Sequence, residues 1–499
     1  MSNIRVTYSG LISLVLGIVS VLLGLIFMLI VTRTLNPLEY GTWGLISGIV
    51  LYASIIEPMI SYWAIRETAR NVDSGKTAVS SSLLISLGGI AIYLVSAYLV
   101  SGKTDANQDV ILMGTILIPL IFLNRVLTSI SFGWKPQSAS FGQLCFALIE
   151  IPVVLLLVYF LQLGTVGVIF TVAIAYSASI IFYLIYSREK LRNNIKKEFL
   201  KKWFKLSWIA LYPAIGLTAL FLDVTIFSII TGSVIGIAFW TASLVITNII
   251  TNSGLISRAV YPKLLQGNGH EFLSDNLRHL FYFSILFTFL SITFAKPALF
   301  ALNPTYVVAV PIVIILSIQI FLYTISGNLQ TFITGIEKVD ENINSTFKDY
   351  LKSKLFHIPT ITIIQSILYL ASLTIVLFVM NSTTDSQLDL VIYWAIVSLS
   401  IQVPISIITF ILIKKHFTVK FDLKSIFKYL FGGLISLIIT NFLLELFLVY
   451  NVELIEFLPN VIIYLFIGIS IYFGITYLID NKTRKLFESI FRAVLNKNY

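Results

Sequence analysis

Five charged side chains lie in stretches that are otherwise apolar: Glu57, Arg125, Glu150, Asp223 and Glu445. Inside a hydrocarbon layer such a group costs at least ~2.5–3.5 kcal/mol on insertion scales, so each needs a reason. Two of the acids stand beside proline, with Glu57 directly before Pro58 and Glu150 two residues before Pro152. Proline has no amide N–H and frees a carbonyl one turn earlier. A carboxylate near freed carbonyls is the oxygen-rich setting that a Na⁺ ion or a proton requires within a membrane. Glu57, Glu150 and Asp223 are therefore candidates for cation coupling. Arg125 offers other chemistry, because a guanidinium binds phosphate through two parallel hydrogen bonds. The structural alternative is an acid hydrogen-bonded to a neighbouring helix, or Arg125 paired with Glu57 or Glu150. Glu445 lies near the end of its apolar run and can reach water.

Long apolar elements must carry these groups. Of the 499 residues, 57% are hydrophobic and 12% charged. Soluble domains carry about 25% charged residues. One Cys, 13 Pro and 27 Gly exclude a disulfide-framed, disordered or collagen-like chain. The pattern predicts an all-α polytopic membrane protein with fourteen spans, each near the ~20 residues a bilayer needs. The first six cover about 10–32, 43–63, 78–100, 110–132, 141–161 and 163–186. The next six cover about 206–230, 234–256, 280–302, 307–332, 358–380 and 388–413, and the last two 426–449 and 460–479. The runs are too continuous for the alternating strands of a barrel. Glu150 falls at the centre of its span. Glu57 and Arg125 fall about 6 Å towards the cytoplasm, and Asp223 about as far the other way, at 1.5 Å per residue.

Placing the N-terminus in the cytoplasm puts thirty Lys and Arg inside and three outside, with Arg125 alone within a span. That asymmetry predicts cytoplasmic termini and an even number of spans. It also accounts for the net charge of +10, which divides into +17 inside, −4 outside and −3 within the spans. The basic surplus is a topological signal facing anionic lipid headgroups. Membrane lipids, and no nucleic acid, are the expected partners of that charge. In 189–205, Leu191, Ile195, Phe199 and Trp203 recur every fourth residue against a lysine-rich face, which suits a helix lying on the leaflet.

Spans one to six and seven to twelve resemble two copies. Trp43 and Trp240 lie 197 residues apart, and Arg66 and Lys263 share the same offset. Six-span repeats of like orientation frame a central cavity that opens alternately to the two sides. The expected division is 1–186 as one lobe, 187–205 as a basic linker, 206–413 as the second lobe, and 414–499 as two added spans with a cytoplasmic tail.

The stretch from Arg33 through Leu35, Pro37, Tyr40 and Gly41 to Gly44 resembles the "R-x-L-G-P-x-x-Y-G" motif of polysaccharide flippases, with Asn36 where that motif has Gly. These proteins belong to the multidrug/oligosaccharidyl-lipid/polysaccharide exporter superfamily. The stretch from Asp223 through Gly232, Gly236 and Trp240 to Pro262 is also similar to the family. The resemblance implies a 6+6+2 architecture in the plasma membrane. It also implies a flippase moving a lipid-linked oligosaccharide to the outer leaflet. On that reading Arg125 receives the phosphate, and Arg66, Arg70, Arg258 and Lys263 flank the inner mouth and capture it. Ordinary positive-inside anchoring explains the last four equally. Two other readings stand beside it: a cation-coupled multidrug exporter of the same superfamily, and a non-transporting scaffold or polysaccharide synthase subunit. The sequence holds no Walker loop, G-x-S-x-G or H-E-x-x-H, and its four His and single Cys145 form no metal-ligand spacing. No enzymatic activity and no cofactor beyond a coupling Na⁺ or H⁺ is expected. Asn381 is the one glycosylation acceptor expected outside.

Overall fold

The computed structural model describes residues 6–257, 270–337, 347–384, 386–416, 421–485 and 487–488. Among these the regular structure is entirely helical. The first span is Val6–Thr34. Span 2 is a bent pair, Pro37–Ile56 and Pro58–Ala69, turning by 61°. Spans 3 to 6 are Gly75–Ser101, Gln108–Trp134, Ser138–Phe160 and Gly164–Tyr186, and spans 7 and 8 are Ser207–Thr231 and Ile235–Ser257. Span 9 is a second bent pair, Leu273–Thr293 and Ala295–Leu302, turning by 64°. Spans 10 to 14 are Pro304–Gly335, Lys354–Met380, Gln387–Lys415, Leu423–Phe447 and Leu454–Ile479. Each of the fourteen apolar runs is thus a helix or a bent helical pair, and the chain is a multi-pass membrane protein.

The bends follow from proline. Pro58 cannot bond the Ser54 carbonyl, so the chain tightens into a 3₁₀ turn over Ser54–Ile56 and the Glu57 N–H takes that carbonyl at 3.0 Å. Pro297 stands four residues after Thr293, where span 9 turns. In span 5, Pro152 is followed by a π-helical stretch, Leu155–Phe160. Span 7 carries a 3₁₀ turn over Leu220–Leu222 immediately before Asp223. In span 8 the 3₁₀ segment Asn248–Ser257 includes the positions 197 residues beyond the Ser54–Ile56 turn. Spans 2 and 8 thus both carry 3₁₀ segments that overlap at that offset.

The chain forms two compact units, residues 1–241 with 362–390, and 242–361 with 391–499. Their boundaries cut through spans 8, 11 and 12, so they reflect packing rather than the limits of the repeat. The first unit has a tight inner core of Ile60, Trp63, Ala64, Val126, Ile130, Tyr183 and Trp203. Small polar residues join its helices, as in Ser131 with Ser187 at 2.7 Å and the Ser82 hydroxyl on the Phe122 carbonyl at 3.0 Å. The expected 189–205 helix is two pieces, Arg188–Leu191 and Lys197–Lys205. Its apolar stripe is spent on protein: Trp203 is fully buried and its indole N–H donates to Glu67 at 3.2 Å, while Ile195 remains exposed.

In the second unit buried hydroxyl bonds fasten span 14 to span 9. The Tyr282 and Thr476 hydroxyls are 3.0 Å apart, and Tyr472 donates to the Tyr282 carbonyl at 2.8 Å. At the cytoplasmic end, Asp480 accepts from Lys428, Tyr429, Ser425 and Thr483. Burial alone would raise the Asp480 carboxyl, but these accepted bonds hold it below the usual range.

Candidate functional site: a polar cavity and an outer contact in the first unit

A cavity of about 530 Å³ opens among spans 2, 4, 5 and 6. Glu57 and Ser61 reach it from the bent half of span 2, and Asn124, Arg125, Thr128 and Ser129 from span 4. Span 5 contributes Ser140, Gln143 and Phe146, and span 6 contributes Tyr176 and Ser179. The proline bend of span 2 puts Glu57 on the wall. Its carboxylate is 4% exposed, against 41% for the Arg125 side chain. The two groups approach to 3.9 Å, an ion pair rather than a close hydrogen bond. Glu57 Oε2 also accepts from Ser61 at 3.2 Å, while its Oε1 is buried with no partner among the described residues. The guanidinium thus meets a carboxylate at long range while its side chain, partly exposed, lines the cavity.

The structure therefore brings Glu57 and Arg125 together and leaves Glu150, Asp223, Glu445, Arg66 and Arg70 outside this cavity. Glu150 is 6% exposed and makes no hydrogen bond or ion pair with any described residue. It follows Phe146 by one helical turn and lies within electrostatic reach of Tyr176. Pro152 frees the Leu148 carbonyl nearby. Asp223 is differently placed. Its Oδ2 accepts from the Tyr369 hydroxyl and its Oδ1 from the Val224 amide, each at 2.8 Å. Two donors already point at it, the setting of a hydrogen-bonded carboxylate. Arg66 lies over the Tyr62 ring at 4.4 Å, and Arg70 is exposed at the helix end. Arg258 and Lys263 fall outside the described residues. Glu445 accepts from Asn441 at 3.3 Å on an exposed face.

Sequence reasoning missed several residues. Glu67 is 4% exposed and takes Lys202 and Trp203 on one oxygen, both at 3.2 Å, which docks the linker on span 2. Its position just past the apolar run hid it. Asn124, Gln143 and Tyr369 are neutral, so they stand out less than a charge does. An amide inside an apolar span was the available signal for the first two.

The outer ends of spans 2, 7 and 8 meet closely. Asn36 caps span 2 in a reciprocal capping box: its side chain accepts from the Glu39 amide at 2.9 Å, and the Glu39 carboxylate accepts from the Asn36 amide at 3.1 Å. Asn36 has φ of −74°, so no glycine is required there. Gly41 is required, because a Cβ would overlap the Val234 carbonyl oxygen. At Gly44 a Cβ would lie 2.8 Å from both Ile237 and Thr241. Asp105, from the loop between spans 3 and 4, completes the contact. It accepts from the Ser233 hydroxyl at 2.6 Å and the Val234 amide at 2.9 Å, and its own amide donates to the Gly232 carbonyl at 3.0 Å. Gly232 ends span 7 with φ of +69°, a conformation that favours glycine.

Solved structures share this fold. The structure is similar to "Lipid II flippase MurJ, inward closed conformation", with a TM-score of 0.65 and 15% identity over 96% of this chain and 100% of that one. It is also similar to an inward-facing multidrug resistance MATE family transporter of the MOP superfamily, at 0.56 and 14% over 79% and 95%. A MOP superfamily transporter from Pyrococcus furiosus aligns at 0.53 and 14% over 82% and 95%. No protein-family model and no curated protein matches the chain. The chain shares its fold with these proteins, two of which are described as MOP superfamily transporters, the superfamily that the resemblance at Arg33–Gly44 implied.

Proposed function

We propose that this chain is an alternating-access flippase of the plasma membrane. It carries a lipid-(pyro)phosphate-linked oligosaccharide from the cytoplasmic to the outer leaflet. The observation that supports this reading best is Arg125, a guanidinium 41% exposed into a polar cavity about 6 Å cytoplasmic of mid-membrane. An anion entering from the inner leaflet meets it there, and a forked donor lowers the cost of carrying phosphate through hydrocarbon. Glu57 fixes the guanidinium on one side and releases it when phosphate arrives. Arg66, Arg70, Arg258 and Lys263 gather the phosphate at the inner mouth, and the lobes 1–186 and 206–413 rock about the 187–205 tether. Residues 414–499 stay peripheral, and their spans give the lipid tail a path within the bilayer.

Na⁺ or H⁺ drives the return step through Glu150 first, since its carboxylate is buried without a partner, and through Asp223 and Glu57 as secondary sites. That same buried acid favours a second reading, a cation-coupled exporter of amphiphilic drugs. The two are separated by reconstitution. Proteoliposomes holding a polyprenyl-pyrophosphate-linked sugar in the inner leaflet are assayed for its appearance outside, with and without a Na⁺ or H⁺ gradient. Flipping that falls about 10–100-fold in Arg125→Ala, the worth of one charge-assisted hydrogen bond, supports the proposal. Unchanged flipping in a folded Arg125→Ala protein overturns the phosphate role. Gradient-driven efflux of cationic amphiphiles with no lipid flipping selects the exporter.

A further inference from the structure

The cavity offers more hydrogen-bonding groups than it uses. Gln143 and Ser140 on span 5 make no hydrogen bond with any described residue, and neither does the Tyr176 hydroxyl. Asn124 accepts from Ser179 at 2.9 Å through Oδ1, and its Nδ2 donates to no described residue. Two rings share the wall: Phe146 and Tyr176, with centroids 4.8 Å apart and planes at 54°. Ser140, Gln143 and Phe146 follow at three-residue intervals, so one face of span 5 carries all three.

Unspent amides and hydroxyls beside ring faces suit a pyranose, which has hydroxyls around its rim and C–H groups on its faces. Phosphate alone needs only Arg125. An apolar occupant would leave these groups unpaired, and a site built to bond hydroxyls discriminates strongly against ligands that lack them. A volume of about 530 Å³ lies in the range of small-molecule sites, room for a phosphate and the sugar next to it rather than a whole oligosaccharide.

We propose that this face is the subsite that selects the sugar bonded to the phosphate. Gln143, Ser140 and Asn124 bond its hydroxyls, and Phe146 with Tyr176 takes its C–H face. The inference rests on the flippase reading. It adds that cargo choice is made at the proximal sugar, in the inner half of the membrane.

The test measures binding to the protein in nanodiscs. The probes are bare polyprenyl pyrophosphate and the same carrier bearing a single hexose, N-acetylhexosamine or hexuronate. Wild type should bind at least one sugared carrier on the order of 10-fold more tightly than the bare one. Gln143→Ala and Phe146→Leu should erase that preference while keeping affinity for the bare carrier, which also shows that they fold. Phe146→Tyr should retain the preference, and Arg125→Ala should weaken both classes. A wild type indifferent to every sugar, or variants that keep the preference, overturns the subsite and leaves the flippase reading standing. A wild type that binds no pyrophosphate carrier overturns both.

Discussion

The outer contact of spans 2, 7 and 8 and the cavity around Arg125 lie in the same unit and follow opposite rules. At the contact, both Asp105 oxygens are bonded, and Gly41 and Gly44 remove side chains so that backbones touch. In the cavity, Gln143, Ser140 and the Tyr176 hydroxyl are unspent and Arg125 has one long ion pair. Without water to satisfy them, polar groups in a membrane are bonded to protein or face a cavity that admits water or ligand. The difference separates a region whose polar groups are spent on holding helices together from one whose polar groups line an open cavity.

Substitutions can break that contrast, and the largest effect is expected at Gly41. Gly41→Val drives a branched side chain into the Val234 carbonyl, and overpacking of this kind costs ~1–3 kcal/mol. A lower melting temperature in detergent, together with new reactivity of Ser233→Cys towards an external thiol reagent, would show it. The background for that labelling is Cys145→Ser, since Cys145 is the only cysteine. Arg125→Lys comes next. It keeps the charge but loses the fork, and flipping should fall about 10-fold, or ~1.4 kcal/mol, with little change in melting. Asp105→Asn weakens two charge-assisted bonds at the outer contact and should cost about 1 kcal/mol. Hydrogen exchange at the Val234 amide should rise while bare-carrier binding at the cavity stays unchanged.

The smallest effect is a pH control away from both regions. Lys482 donates to Asp422 at 2.7 Å and, with Ser425, lowers its carboxyl from 3.8 to about 2. A folded-state value below the ordinary one stabilises fully above that ordinary value and less as pH falls through the folded one. The end of span 13 should therefore loosen between about pH 4 and pH 2, and sooner in high salt because the pair is partly exposed. Hydrogen exchange at residues 423–428 would follow it. Lys482→Ala should remove most of that pH dependence.

Several features were legible beforehand because they follow from local chemistry. The fourteen spans come from hydropathy, and Pro58 beside Glu57 marked a place where backbone bonding must change, which is where span 2 bends. The motif at Arg33–Gly44 is now physically explained as a helix start with a capping box, followed by glycines at a helix contact. The sequence pattern suits a surface helix, but Leu191, Phe199 and Trp203 of its stripe pack on protein, with Trp203 and Lys202 bonded to Glu67 of span 2.

By itself the sequence determined the spans and the positions of the costly charges. Each of these depends on the transfer of a residue between water and lipid, which is a property of one stretch of chain. Only the tertiary structure decided which charge meets which. Arg125 faces Glu57 across 68 positions, Asp223 takes the Tyr369 hydroxyl across 146, and Asp105 caps span 8 from the loop between spans 3 and 4. Pairing depends on which helix faces pack together, and hydropathy is nearly blind to that because lipid and protein interiors are equally apolar.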